Sequence, residues 1–186
     1  MPSTRVVYVV GPPGVGKSTA VLSAIKGSGL TPLPLETFAP QVKGHRLLDE
    51  SDGVTRGVYL GEMREQFPGT DSLGMGASPR AVEFLRRSRI PLVIGEGARL
   101  GTGKFLGEVS GFSEVTLIHL TARMGVLESR RAKRGSEQSD TWARGAATRA
   151  SKAFKAAGDL GLRAMELDTS EMSPREVSDF IAGLLL

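Results

Sequence analysis

A glycine-rich octapeptide directly after a short apolar run leaves this chain few possible folds. The run is Val6-Val7-Tyr8-Val9-Val10, and the octapeptide fits the pattern G-x-x-x-x-G-K-[ST] in full. Its residues are Gly11, Pro12, Pro13, Gly14, Val15, Gly16, Lys17 and Ser18. Strand, loop and helix start follow in the order that a phosphate-binding loop (P-loop) requires. The motif therefore predicts a site for a nucleoside triphosphate.

The positions of this loop have distinct expected functions. Glycines let the backbone turn with its N–H groups facing inward, and a helix beginning near Lys17 adds the positive end of its dipole. Lys17 can reach the β- and γ-phosphates, Ser18 is the expected inner ligand of Mg²⁺, and Thr19 follows in the first helical turn. The predicted cofactors are ATP and Mg²⁺. A chance match among 24 glycines in 186 residues would make the flanking strand and helix coincidences as well.

Length and composition indicate one globular domain spanning residues 1–186. The chain is 40% hydrophobic and 24% charged, which is ordinary for a soluble protein. It has no cysteine, which excludes disulfides and thiol chemistry, and no apolar run of about 18 residues that would cross a membrane. We expect a cytoplasmic protein without a membrane partner, and the composition leaves its oligomeric state open.

Apolar runs alternate with helical patterns along the chain. This alternation predicts an α/β three-layer sandwich with a mostly parallel five-stranded sheet. The predicted strands cover 6–10, 33–35, 92–94, 115–120 and 164–167. The predicted helices cover 17–25, 79–88, 104–109, 122–134, 139–157 and 174–185, and the last opens with Ser173-Pro174-Arg175-Glu176.

The pattern changes in the middle of the chain. Two β-type segments, 45–50 and 57–62, flank Ser51-Asp52-Gly53, which predicts an inserted β-hairpin with an Asp-Gly turn at about 41–64. Helices in place of the hairpin are the alternative. We expect the architecture specific to the substrate in this insertion.

Positive charge is concentrated in one segment, 121–155. It holds nine basic and three acidic residues, a charge of +6, so the rest of the chain contributes −2 to the net +4. The basic residues are Arg123, Arg130, Arg131, Lys133, Arg134, Arg144, Arg149, Lys152 and Lys155. Such a segment either binds anions or forms a solvated surface.

Acidic candidates follow the predicted strands. Glu96 comes just after the strand at 92–94, where ligands bind in doubly wound sheets, so we expect it to hold Mg²⁺ directly or through water. The alternative is a structural cap of the next helix. Arg99 is a candidate for contact with phosphate or substrate, and an ion pair with Glu96 is its alternative.

A polar turn at 67–76 contains the candidate general base. Asp71, within Phe67-Pro68-Gly69-Thr70-Asp71-Ser72, can accept the proton of an attacking hydroxyl or hydrogen-bond a substrate. The alternative is that Thr70, Asp71 and Ser72 only form and cap the turn. Glu36, at the end of the second predicted strand, is the rival base and a further substrate contact. His119 is expected in a core strand, without a catalytic role.

Together the P-loop, the Arg-rich segment after the fourth predicted strand and the late run Leu167-Asp168-Thr169-Ser170 resemble the P-loop nucleoside and nucleotide kinases. The resemblance implies a mobile lid at about 122–138 that closes over ATP and brings arginines to the transferring phosphoryl group. Arg130 and Arg134 are the implied lid arginines, ahead of Arg123 and Arg131. It also implies that Asp168, Thr169 and Ser170 form a loop beside the adenine.

The hairpin, the Phe-Pro-Gly-Thr-Asp turn and the run Arg130-Arg131-Ala132-Lys133-Arg134-Gly135 are also similar to small bacteriophage kinases. Some of these phosphorylate 5-hydroxymethyluracil within DNA, which implies modified DNA as the acceptor and the host cytoplasm as the location. A nucleoside monophosphate and a small hydroxy metabolite are alternative acceptors. Two other classes stay open: an NTPase switch and a nucleic-acid-binding module in which ATP is structural. The absence of a guanine-recognition motif disfavours a GTPase.

Overall fold

A computed structural model, which describes residues 4–64, 66, 68–133, 135 and 139–186, contains seven strands and six α-helices. The strands are β1 (Thr4–Val10), β2 (Leu30–Ala39), β3 (Val42–Asp49), β4 (Thr55–Leu60), β5 (Leu92–Glu96), β6 (Ser113–Thr121) and β7 (Arg163–Asp168). The helices are α1 (Lys17–Gly27), α2 (Ala77–Ser88), α3 (Gly103–Ser110), α4 (Met124–Lys133), α5 (Asp140–Asp159) and α6 (Pro174–Leu185). A short 3₁₀ helix covers Thr70–Ser72.

All seven strands form one sheet in the order β2-β3-β4-β5-β1-β6-β7. The five strands from β4 to β7 in this order are parallel, whereas β3 runs antiparallel to β4 and β2 antiparallel to β3. Near its carboxyl end β1 pairs on both sides, Val9 with Glu96 of β5 and Val10 with His119 of β6. The carboxyl ends of three strands therefore meet where the glycine-rich loop begins.

The three-layer α/β architecture and the hairpin are confirmed, but the sheet has seven strands rather than five. The predicted strand at 33–35 lies in β2, at the sheet edge, while the hairpin strand β4 joins the parallel part beside β5. Gly57 permits that pairing, because a Cβ atom there would lie 2.6 Å from the carbonyl oxygen of Leu92. Periodicity marks both segments as strands but does not specify their neighbours.

Helices cover both faces of the sheet and form two cores. Val6, Tyr8 and Val10 of β1 point to the face covered by α2, α3 and α5, whereas Val7 and Val9 point to the face covered by α1 and α6. This alternation is the two-residue period of a strand buried on both sides. Alanines of α5 form its inner face: Ala146, Ala150, Ala153 and Ala157.

The six helices start and end within a few residues of their predicted limits. The start of α6 is a capping box, in which the Ser173 hydroxyl accepts from Glu176 N at 3.2 Å and the Glu176 carboxylate accepts from Ser173 N at 2.7 Å. The segment predicted at 122–134 forms α4, and Arg134 lies outside the described residues. No helix in the described part of the chain combines the length and apolar character of a membrane span.

Candidate functional site

The glycine-rich loop leads from β1 directly into α1. Ala20 N donates to Gly16 O at 2.9 Å, so the first helical turn begins where the loop ends. Lys17 folds back over the loop, and its Nζ donates to Gly11 O at 2.9 Å and to Pro12 O at 3.1 Å. The geometry places an ammonium group and the amino end of a helix at one concave surface, which is an anion site.

Glu96, the last residue of β5, faces this loop. It is only 1% exposed, and its two carboxylate oxygens have separate donors: Ser18 Oγ lies 3.0 Å from Oε2, and Tyr59 Oη lies 2.9 Å from Oε1. Burial raises the pKa of Glu96, while the charge of Lys17 and the two hydrogen bonds oppose that rise. The carboxylate is therefore held in one orientation beside the P-loop serine.

The helix-capping alternative for Glu96 is wrong. The next helix, α3, begins at Gly103 and is capped by Thr102, whose hydroxyl accepts from Phe105 N at 3.2 Å. The structure thus brings together the two residues predicted to bind the metal, Ser18 and Glu96.

The oxygen set at this position fits Mg²⁺. Among the described residues no group of three or more His, Cys, Asp or Glu side chains is arranged to hold a metal ion by itself. Mg²⁺ in phosphoryl-transfer sites is usually bound by one or two protein oxygens together with substrate phosphates. The Ser18 hydroxyl and the adjacent Glu96 carboxylate provide such oxygens next to the phosphate loop.

Asp71 lies beside Glu96 because its turn docks on the end of β5. Thr70 is fully buried, and its hydroxyl donates to the backbone oxygen of Glu96 at 2.7 Å and lies 2.6 Å from Tyr8 Oη. Asp71 Oδ1 accepts from the backbone N of Ala98 at 2.8 Å and of Arg99 at 3.0 Å. The Asp71 carboxylate thus caps the loop after β5, in agreement with the alternative that Asp71 forms and caps a turn. These bonds use Oδ1 and leave Oδ2 for other contacts.

The side chain of Arg99 points away from the carboxylate of Glu96. Its Nη1 donates to Met75 Sδ at 2.7 Å, and its buried Nε has no hydrogen-bond partner among the described residues. The alternative of an ion pair with Glu96 is therefore wrong, because Ser18 and Tyr59 occupy that carboxylate.

Arg130 of α4 connects the P-loop to the turn after β7. Its Nη1 donates to Thr169 Oγ1 and its Nη2 to Thr169 O, both at 2.9 Å, and Nη1 also reaches Val15 O at 3.4 Å. Three residues predicted for the site, Arg130, Thr169 and Val15, are therefore in contact. Arg130 donates to backbone oxygens of both the P-loop and the turn after β7.

The turn itself is fixed by short-range contacts. Asp168 Oδ1 accepts from Ser170 N at 2.8 Å, and Ser170 Oγ accepts from the backbone N of Arg123 at 2.7 Å. The run 168–170 therefore lies against the start of α4, and its expected place beside the adenine stays a prediction. The second predicted lid arginine, Arg134, and most of residues 134–138 lie outside the described residues.

Glu36 does not join this cluster. It lies on the exposed edge strand β2, where its carboxylate accepts from Arg46 Nε at 2.8 Å and Nη2 at 3.0 Å. Strands β3, β4 and β5 separate it from β1 and the P-loop. The ion pair lowers the pKa of Glu36, so it is a surface charge rather than a base beside the donor.

Sequence reasoning missed Tyr8 and Tyr59, the two tyrosines of the chain. Both are fully buried, and burial raises the pKa of each hydroxyl. A buried tyrosine hydroxyl needs a hydrogen-bond partner. Their position inside apolar strands was the available signal, but it does not specify the partners, Thr70 and Glu96.

Comparison with known proteins agrees with this geometry. The chain matches no curated protein sequence. A family model described as P-loop Nucleotide Kinase3 matches residues 2–184, which include the P-loop, Glu96 and the turn after β7. The chain therefore belongs to the P-loop nucleotide kinase family.

Proposed function

We propose that the protein transfers the γ-phosphoryl group of ATP to a hydroxyl of a nucleoside-type acceptor. The observation that carries this proposal is the buried Glu96 carboxylate, 3.0 Å from the P-loop Ser18. A phosphate loop alone binds nucleotide, whereas a fixed carboxylate beside its serine adds the oxygen set used by phosphotransferases.

Lys17 and the loop amides hold the donor in this proposal. Lys17 exchanges its contacts with the carbonyl oxygens of Gly11 and Pro12 for the β- and γ-phosphates. Ser18 would hold Mg²⁺, with Glu96 as a direct or water-mediated partner, and the bound ion neutralises charge on the transferring group. In-line transfer depends on positioning and charge. Strands β4 and β5 contribute to the positioning, because together they fix the orientation of the Glu96 carboxylate.

Asp71 and the arginines of α4 complete the proposed site. Asp71 orients or deprotonates the acceptor hydroxyl through Oδ2, because Oδ1 is held by Ala98 and Arg99. Arg130 keeps the turn after β7, the proposed adenine loop, against the P-loop. The lid role extends to Arg134 within the proposed lid at about 122–138.

The favoured acceptor is 5-hydroxymethyluracil within DNA, ahead of a free nucleoside monophosphate or a small hydroxy metabolite. The support is an exposed cationic face of α5 formed by Arg144, Arg149 and Lys152, which have no ion-pair partner among the described residues. A polyanion gains affinity from such a face through counterion release.

Transfer of labelled γ-phosphate tests the proposal. The protein is given ATP and Mg²⁺ with separate pools of hydroxymethyluracil DNA, ordinary DNA, nucleosides and nucleoside monophosphates. Label in the modified DNA alone supports the favoured acceptor, whereas label in a monophosphate makes the protein a metabolic kinase. Label released only as free phosphate would instead favour an NTPase.

The variant Asp71→Asn separates binding from catalysis. The amide oxygen can still accept from the two backbone N–H groups of the β5 loop, so we expect ATP binding and stability to persist while turnover falls. Undiminished turnover would remove Asp71 from the mechanism.

A further inference from the structure

Helix α5 extends past its neighbour α3 at the edge of the sheet where the P-loop lies. Gly103, the first residue of α3, packs against α5, because a Cβ atom at Gly103 would lie 2.6 Å from Ala156 Cβ. Earlier in α5, Ala143 and Ala147 line a cavity together with Pro12 of the P-loop. The segment of α5 that precedes Ala156 therefore projects beyond α3 at the carboxyl edge of the sheet, by up to roughly 24 Å at about 1.5 Å per residue.

The side of α5 that meets α3 continues into this projecting segment. At about 100° per residue, positions 142, 145, 149, 152 and 156 lie within about 80° of one another. The first four are Trp142, Gly145, Arg149 and Lys152, here called the tryptophan side of α5. None of these four described residues lines the cavity beside Pro12. Because the loop after β5 leads directly into α3, the tryptophan side faces the space next to that loop.

Two cations on the tryptophan side lack a compensating charge. Arg149 and Lys152 are exposed, and neither forms an ion pair with any residue that the structure describes. Farther along the helix, by contrast, Lys155 is paired with Asp159 at 2.6 Å. A polyanion on the tryptophan side would release the counterions that the two unpaired cations otherwise hold, and it would gain affinity from that release.

Trp142 gives the same side an exposed aromatic ring. It is the only tryptophan of the chain, and it is 40% exposed. One helical turn further Gly145 presents no side chain, and a Cβ atom there would lie 3.5 Å from Arg149 Nη1. The ring and the guanidinium group therefore border a gap on the helix surface. Exposed aromatic rings stack on unpaired bases while nearby cations bind the backbone of the same strand. The ring favours nucleic acid over an acidic polypeptide, which would use the two cations alone.

We propose that the tryptophan side of α5 binds a single-stranded segment of a nucleic acid acceptor; this inference rests on the proposed function. Trp142 stacks on one unpaired base, while Arg149 and Lys152 contact phosphates of the same strand. A single strand is required, because the bases of a duplex are already stacked and paired with each other. The strand then passes the loop after β5, whose backbone N–H groups bind Asp71. The tryptophan side thus leads the strand toward the proposed general base.

Fluorescence of the single tryptophan reports binding directly. The wild type is titrated without ATP, using an oligothymidylate of about 12 nucleotides, which is within the usual range of single-strand sites, a duplex of the same length, and polyglutamate. We expect the single strand to quench Trp142 and to bind at least about tenfold more tightly than the duplex. Polyglutamate should leave the fluorescence unchanged. Equal quenching by polyglutamate, or no quenching by the single strand, would overturn the inference.

Charge variants identify the surface. Arg149→Gln with Lys152→Gln removes both unpaired cations, and Lys26→Gln with Arg163→Gln removes two exposed cations at the opposite edge of the sheet. Each phosphate contact in a single strand contributes about 0.7 to the slope of log affinity against log salt concentration. We expect the first double variant to lower that slope by about 1.4 and the control to leave it within about 0.3 of the wild type. Equal slopes in the two double variants would overturn the inference.

Aromatic variants test the stacked base, and they need a fluorescently labelled strand because they remove the intrinsic signal. Trp142→Ala should weaken binding of the single strand by at least about tenfold (about 1.4 kcal/mol), whereas Trp142→Phe should retain affinity within about threefold. Unchanged affinity in Trp142→Ala would overturn the inference; if this variant does not fold, the charge variants decide. Binding that follows these expectations without phosphate transfer from ATP would refute the proposed function alone. Transfer to DNA that is equal in all variants would overturn the inference alone.

Discussion

Removal of the Tyr59 hydroxyl should destabilise the protein through Glu96. Tyr59→Phe keeps the ring in its buried place and deletes the donor that lies 2.9 Å from Glu96 Oε1. Both side chains are almost completely buried, so water cannot replace the lost hydrogen bond. Hydrogen bonds to charged groups contribute roughly 1.5–3 kcal/mol to the free energy of unfolding. At about 2–4 °C per kcal/mol for a chain of this size, Tm should fall by about 3–12 °C.

A double-mutant cycle assigns the loss to this contact. Urea unfolding gives the free energy of unfolding for the wild type, Tyr59→Phe, Glu96→Leu and the double variant. We expect the two changes to be coupled by about 1 kcal/mol or more, because each removes one partner of the same hydrogen bond. Additivity within about 0.5 kcal/mol would refute the reasoning, since it would mean that Tyr59 does not hold the carboxylate.

Three further predictions concern the loop, the turn after β5 and the last helix. Lys17→Ala should lower phosphate transfer by at least about 10²-fold with unchanged circular dichroism, because it removes the positive charge next to the transferring group; transfer within tenfold of wild type would contradict this. Gly97→Ala should destabilise the protein by about 1–3 kcal/mol in thermal unfolding, since φ is +106° and a Cβ atom would lie 2.8 Å from the Asp71 carboxyl group; an unchanged Tm would show that the turn adapts. Ser173→Ala should cost about 1 kcal/mol by removing the cap of α6. The bonds from Ser173 also lower the pKa of Glu176 from its ordinary value of 4.5. The wild type should therefore be more stable than Glu176→Gln at neutral pH, and this difference should disappear as the pH falls below 4.5 and the carboxyl group becomes protonated. An advantage that does not change between neutral pH and the pH at which the carboxyl group is fully protonated would contradict the capping box.

The parts of the site that lie close together in sequence were the predictable ones. The P-loop carries its strand, turn and helix start within one segment, so its geometry follows from local chemistry. Glu96 was identifiable because it ends an apolar strand, and parallel strands bring their carboxyl ends to one edge. The bond from Ser18 to Glu96 then requires only that β5 lies beside β1, as the strand order of the structure shows.

The remaining contacts depend on pairings that sequence patterns do not encode. Tyr59 reaches Glu96 only because β4 pairs with β5 in the parallel part of the sheet. The hairpin pattern in the sequence is equally compatible with a two-stranded hairpin that does not join this sheet. Arg130 and Arg131 are adjacent in sequence, but neighbouring helical positions differ by about 100° in direction. Arg130 contacts the turn after β7, whereas Arg131 lies beside Gly14 and Asp140, and the docking angle of α4 determines these two directions.

The hydrogen bonds around Glu96 also have a consequence for folding. The donor site is assembled from three segments, the loop at 11–18, β4 and β5, so it exists only after the central strands have paired. On the proposed function, ATP would bind the native state and not the unfolded chain, and it would stabilise the protein by about 2.7 kcal/mol at a free concentration of 100 times its Kd. The free energy of unfolding would then depend on the nucleotide concentration.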